Sequence, residues 1–332
     1  MASWTRAELP KATKDLDRAR ADIDTYGYCL LEGAIPEPLL SRTRERFEEQ
    51  AVAEKQREMA FEDGGPTQQW GAFKDEDGRI RTEAFKAANG GVNQRMWMLV
   101  NKGRTFLDVL ELDQPHALIG HVLGEEFLLS SYSGNIAKTG GVAMNLHTDQ
   151  WWAPEPVHLS RARSGLPVGS MDRTTFDESI AEPRDYLAPA AAANILYMLN
   201  DFTEANGGTR IAPVSHLYGR HPNVERDADV ETVAAEGPAG TAIITDGRVW
   251  HGTGANSTNA PRLAMIATYC GPQYRAQENF TVGTDPEVLK TASPRLKTLL
   301  GLKVWWAYGR IGDPTIEFID TDQPIQGALR PN

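Results

Sequence analysis

Residues 240–269, GTAIITDGRVWHGTGANSTNAPRLAMIATY, set short apolar runs between clusters of turn-forming residues. Runs of about four to eight apolar residues bounded by Gly, Asn, Asp and Pro read as strands, because a helix needs a longer stretch with a 3.6-residue period. One strand ends in the tight Asp246-Gly247 turn, a second carries His251, and a third begins at Arg262 after the turn residues Asn256 to Pro261. The same texture extends outward to 126–137 (EFLLSSYSGNIA), 142–149 (VAMNLHTD), 193–201 (ANILYMLND) and 209–215 (TRIAPVS). Strands of this length without helices between them predict an antiparallel sandwich or jelly roll, not a parallel sheet.

Before this core the pattern is helical. Residues 11–25 place Leu16 and Ile23 among charges, YGYCLLEG follows as a strand, and the segment after Pro36 carries Leu39, Leu40, Phe47 and Val52 at helical spacing. GRTFLDVLEL and QPHALIGHVLG read as two helices broken at Asp113 to Pro115, since proline disfavours helix in the residue before it. RMWMLV is a further strand, and PEVLKTASPRLKTLLGL is a helical patch before an irregular tail. The expected fold class is mainly β with flanking α-helices. We expect a single domain over 1–332, with the β-core at about 126–271, N-terminal elements over 11–125 and a C-terminal helix and tail over 285–332. Residues 62–93 carry no clear period and are expected as a long loop or a cover, and 150–190, rich in Pro, Gly and charges, is expected as a lid over the site.

Composition narrows the function. The 332 residues are 41% hydrophobic and carry a net charge of −11, which allows a large core and disfavours nucleic acid or anionic bilayers as partners. A small-molecule substrate is therefore expected; oligomeric state is not legible. Cys29 and Cys270 stand in no zinc or disulfide spacing, no apolar run approaches a membrane span, and a cytoplasmic location is expected. No GxxxxGK[ST], GxSxG or HExxH motif occurs, and GTGANS at 252–257 lacks the helix a dinucleotide loop requires.

In an extended strand the side chains of Asn145, His147 and Asp149 share one face. Burying an imidazole beside a carboxylate is costly unless a cation or hydrogen bonds compensate, so the triplet is either a metal face or a self-satisfied turn. If the strand of His251 flanks the same cavity, two histidines and a carboxylate make the facial triad of non-haem iron(II) oxygenases. Arg262 begins an otherwise apolar strand; turned inward, its guanidinium would demand an anion such as a dicarboxylate.

These residues carry a resemblance. HTD at 147–149, NGGTRIAPVSH at 206–216 and WHGTGANSTNAPR at 250–262 resemble the phytanoyl-CoA dioxygenase family of Fe(II)- and 2-oxoglutarate-dependent oxygenases, over roughly residues 24–271. The resemblance implies a double-stranded β-helix (jelly roll, cupin-like) core. It implies iron held by His147, Asp149 and His251, 2-oxoglutarate anchored by Arg262 with Asn145 and Thr209 in contact, and dioxygen as the second cosubstrate. Hydroxylation of a C–H bond in a small or medium organic metabolite is the expected reaction, with release of succinate and carbon dioxide. Two rivals stay open: a β-helix protein that binds metal or ligand without turnover, and a cupin-type isomerase. The chain departs from the family at PVSH, where the turn before His216 lacks its usual glycine, and His216 is expected to be structural. Trp151 and Trp152 lie two and three residues past the carboxylate, and the expectation for them is either that at least one walls the substrate pocket or that they fill a plain core role. Arg161, Arg163, Arg173 and Arg184 are expected as solvated cover charges, and His116 and His121 as packing or surface histidines.

Overall fold

The computed structural model describes residues 4–63, 93–150, 187–306, 312–313, 315–320, 328 and 330–331. Most of both expected covering loops, including Trp151, Trp152 and the four cover arginines, lies outside these residues. Among the described residues, ten strands form two antiparallel sheets. The larger holds seven strands in the order β1 (Tyr28–Leu31), β8 (Ala242–Asp246), β5 (Ala192–Met198), β10 (Arg262–Cys270), β4 (Leu128–Ala137), β3 (Asn93–Met96) and β2 (Phe61–Asp63). The smaller consists of β7 (Val233–Ala234), β6 (Arg210–Ile211) and β9 (His251–Gly252).

One face of the large sheet carries helices. Cys29, Ile195, Tyr197, Ile244, Met265 and Tyr132 alternate outward along their strands and join a buried cluster with residues of α1 (Leu16–Tyr26), α2 (Leu39–Gln56), α3 (Arg104–Leu110) and α4 (Asp113–Leu123). Three short helices, α5 (Phe280–Gly283), α6 (Pro286–Thr291) and α7 (Pro294–Leu299), add Phe280, Leu289, Leu296 and Leu299 to it. The opposite face meets the small sheet through a second cluster containing Leu30, Met198, Ile211, Ile243, Val249 and Ala264. Antiparallel sheets with helices outside are the architecture expected from the sequence.

Two boundaries differ from the sequence expectation. The helix break falls at Glu111 and Leu112, and Pro115 sits inside the first turn of α4, where its missing N–H would have had no helical partner. The stretch 142–149 forms no continuous ladder; a single antiparallel bridge joins His147 to His251.

Candidate metal centre

The bridge between His147 and His251 brings residues 104 apart in sequence face to face, with His147 N–H donating to His251 O at 2.9 Å and the reverse bond at 3.0 Å. Glycine permits the approach: a Cβ at Gly252 would lie 3.0 Å from Met144 O and 3.1 Å from Asn145 O. The β8–β9 turn supplies the other support. Asp149 and Gln150 both donate their backbone N–H to Gly247 O at 3.0 Å, and Gly247 in turn donates to Ala192 O at 2.9 Å. The Gln150 amide accepts from Ala191 N–H at 2.7 Å and donates to Pro189 O at 2.9 Å, so the residue after Asp149 is tied to the start of β5.

On this frame the three side chains converge. Asp149 places one carboxylate oxygen 3.7 Å from His147 Nε2 and the other 3.3 Å from His251 Nε2, and the three candidate ligand atoms lie within 4.8 Å of one another. Donors sharing one ion at about 2.1 Å sit about 3 Å apart when adjacent, so this spacing fits a shared cation with little adjustment. Both rings are oriented alike: His147 Nδ1 donates to Asn145 O at 3.3 Å and His251 Nδ1 to Val249 O at 3.1 Å. A carbonyl can only accept, so each Nδ1 carries the proton and each Nε2 presents a lone pair to the centre. Burial disfavours a charged His251, but the Asp149 carboxylate outweighs burial and raises its pKa. Among the described residues no other group of three or more His, Cys, Asp or Glu is placed to share an ion.

Arg262 is fully buried at the start of β10. Its Nη2 donates to Asn135 Oδ1 at a long 3.4 Å, its guanidinium carbon lies 4.9 Å over the Phe202 ring, and Nε and Nη1 have no partner among the described residues. Desolvation, and then the charge of Arg95 on β3, one strand beyond β4, push its pKa down to about 9. A buried guanidinium with two open donors is a costly arrangement that an anion would relieve. Phe202, Ile211 and Ala264 share one cluster, which connects the ground beneath Arg262 to the strand opposite His251.

The remaining candidates divide. Thr209 is buried two residues before Ile211, and its hydroxyl has no partner among the described residues. Asn145 is half-buried beside the His147 ring it orients through its carbonyl. His216 stands outside the triad, packed under Gly27 with its Nε2 hydrogen-bonded to Asp24 O at 3.3 Å. Val214, which fills the position of the missing glycine, holds φ +69°, so a β-branched residue occupies left-handed backbone there. His116 packs at a tilt against Phe127 with ring centroids 4.7 Å apart, and His121 bonds Asp24 at 2.7 Å, and neither joins the triad. Sequence reading missed Asn135, although Ser131, Ser133 and Asn135 alternate with Tyr132, Gly134 and Ile136 and so announce a polar strand face. It also missed Gln150, which carries no local signal.

Comparison with known proteins places the chain. The model of the phytanoyl-CoA dioxygenase (PhyH) family matches residues 23–264, and the chain belongs to that family. "Dioxygenase af480" of Aspergillus fumigatus is 29% identical over 211 residues, covering 63% of this chain and 59% of that protein, so the match spans less than two thirds of that relative's length. "Dioxygenase FUM3" of Gibberella moniliformis is 28% identical over 250 residues and 75% of each chain. Among solved structures, the non-heme alpha-ketoglutarate-dependent epimerase SnoN from nogalamycin biosynthesis matches 92% of this chain and 94% of its own at 16% identity and a TM-score of 0.53, a likeness of fold.

Proposed function

We propose that this protein is an Fe(II)- and 2-oxoglutarate-dependent oxygenase that hydroxylates a C–H bond of a small or medium organic metabolite. The observation that carries the reading is the pairing of a His-Asp-His cluster with a fully buried arginine whose Nε and Nη1 lack partners among the described residues. In support, dioxygenases stand among the relatives, and SnoN has also been solved with Fe3+, alpha ketoglutarate and nogalamycin RO.

His147, Asp149 and His251 would hold the iron on one face, leaving the opposite positions for cosubstrates. Iron held there would supply the chemistry that couples oxidation of 2-oxoglutarate to succinate and carbon dioxide with insertion of the second atom of dioxygen into the substrate C–H bond. The chain's own part is placement. Arg262 would take the distal carboxylate of 2-oxoglutarate through paired N–H bonds, and the Thr209 hydroxyl and Asn145 would contact the same molecule. The backbone carbonyls of Asn145 and Val249 hold both imidazoles in the ligating tautomer. Phe202 beneath Arg262 keeps that end dry, which strengthens the ion pair the arginine would form. Trp151 and Trp152 enter the proposal as pocket walls on sequence position alone. A metal-binding role without turnover would leave the buried charge of Arg262 without a purpose. A cupin-type isomerase would ordinarily add a fourth ligand, and no further His, Cys, Asp or Glu joins the triad among the described residues.

The test is succinate formation by the purified protein given ferrous iron, 2-oxoglutarate and dioxygen. Iron-dependent succinate is expected, at a slow uncoupled rate without substrate. Absence of both succinate and 2-oxoglutarate binding would overturn the reading.

A further inference from the structure

Strand register aligns five polar side chains in one row across the inner face of the large sheet. Tyr28 pairs with Thr245, Thr245 with Asn194, Asn194 with Thr268, and Thr268 with Ser131. Their neighbours Cys29, Ile244, Ile195, Ala267 and Tyr132 belong to the helix-facing cluster, so alternation turns the row toward the small sheet. All five are buried. The row lies at the end of the sheet where Asp149 is anchored, because β8 passes from Thr245 through Asp246 to Gly247, whose carbonyl receives the Asp149 N–H. Arg262 lies at the other end, paired with Ala137. Between the two, the next row contains Ile243, Leu196 and Ile266, of which Leu196 and Ile266 keep partial exposure.

Asn194 stands at the centre. Its Nδ2 donates to Thr245 Oγ1 at 3.3 Å, while its Oδ1 is buried with no partner among the described residues. A buried amide oxygen left open is costly, and native interiors rarely keep one without a use. We propose that Asn194, flanked by Thr245, Thr268 and Ser131, is the substrate's hydrogen-bonding subsite, and that it takes an uncharged donor, a hydroxyl or an N–H, on a molecule whose apolar body lies over Leu196 and Ile266. The row contains no charged side chain, and burial pushes the Tyr28 phenol up and keeps it neutral, so an ionic headgroup would be desolvated there without compensation. This inference rests on the oxygenase reading, since it assigns that enzyme's substrate class.

The experiment uses the full chain loaded anaerobically with Zn(II) and 2-oxoglutarate, with cyclohexanol, methoxycyclohexane and cyclohexanecarboxylate as probes whose binding is read by ligand-observed NMR. Cyclohexanol has the donor, its methyl ether only an acceptor, and the carboxylate a charge. Wild type is expected to prefer cyclohexanol over both by about tenfold, the worth of one buried hydrogen bond. Asn194→Leu should erase the preference over the ether, and Asn194→Asp, which keeps an acceptor, should retain it. Equal binding of alcohol and ether by wild type, preference for the carboxylate, or a preference unchanged in Asn194→Leu would overturn the proposal. Iron-dependent uncoupled succinate formation by the same variants reports separately on fold and on the oxygenase reading.

Discussion

The two faces of the large sheet are built from the same strands and do opposite work. Along β5, Ile195 and Tyr197 turn toward the helices and vanish into apolar packing, while Asn194 and Leu196 turn toward the small sheet. Along β10, Met265 and Ala267 face the helices, while Arg262 and Thr268 face inward. Among the described residues, the inner face holds the open hydrogen-bonding atoms of Arg262 and Asn194. The outer face is thus closed by packing alone, whereas the inner face keeps buried hydrogen-bonding atoms that, on the proposed reading, a ligand would complete. Packing residues and residues with open polar atoms thus alternate, one residue apart, along the same strands.

That contrast can be broken by substitution. The largest effect is expected at the triad: His147→Ala or Asp149→Ala should lower turnover by at least about 100-fold, since even residues that merely orient metal ligands cost up to that much. Circular dichroism should show the fold retained; turnover within about tenfold of wild type would remove these residues from the ligand set. Next, Arg262→Met should weaken 2-oxoglutarate binding about 30-fold or more, from the roughly 2 kcal/mol or greater cost of losing a buried charge partner. In the absence of 2-oxoglutarate the same variant should be more stable than wild type by about 1 to 4 kcal/mol, because a buried unpaired charge has been replaced by an apolar side chain. A thermal melt showing destabilisation would mean Arg262 is structural.

An outer-face change should show the reverse. Ile195→Ala, at a fully buried position, is expected to cost about 2 to 5 kcal/mol of stability by denaturant titration while leaving 2-oxoglutarate affinity unchanged. A large loss of affinity would show that the faces are coupled. The smallest effect is in pH. With the Arg262 pKa lowered to about 9, the free protein holds it charged at neutral pH and loses that charge as pH rises through the pKa. Binding the carboxylate above that point requires proton uptake, so 2-oxoglutarate affinity should be flat near neutrality and fall by about tenfold per pH unit well above about 9. Constant affinity across that range would show that Arg262 stays charged or does not meet the carboxylate.

Much of this arrangement was readable beforehand, for local reasons. Asp246-Gly247 and Asn256 to Pro261 announce turns through backbone preferences that belong to the residues themselves, and the strand ends fall accordingly. Helix ends were less legible: Pro115 looked like a break because its ring forbids helix before it, yet the first turn of α4 tolerates it. The HxD stretch read as a strand because its residues alternate, but only His147 pairs, since the segment is held by the β8–β9 turn and by Gly252 and has no ladder of its own. Val214 shows the limit from the other side: the missing glycine was visible, and the backbone kept its left-handed turn regardless.

What the chain determined by itself was the identity of the chemical groups, two imidazoles, a carboxylate and an arginine, together with the turns that punctuate the strands between them. Those follow from side-chain chemistry and local dihedral preference, which act within a few residues. Only the tertiary structure decided that His147 meets His251, that Arg262 is sealed from water over Phe202, and that five polar residues from five strands stand in one row. Such relations depend on strand register and on burial, and both are set by the packing of distant segments against one another.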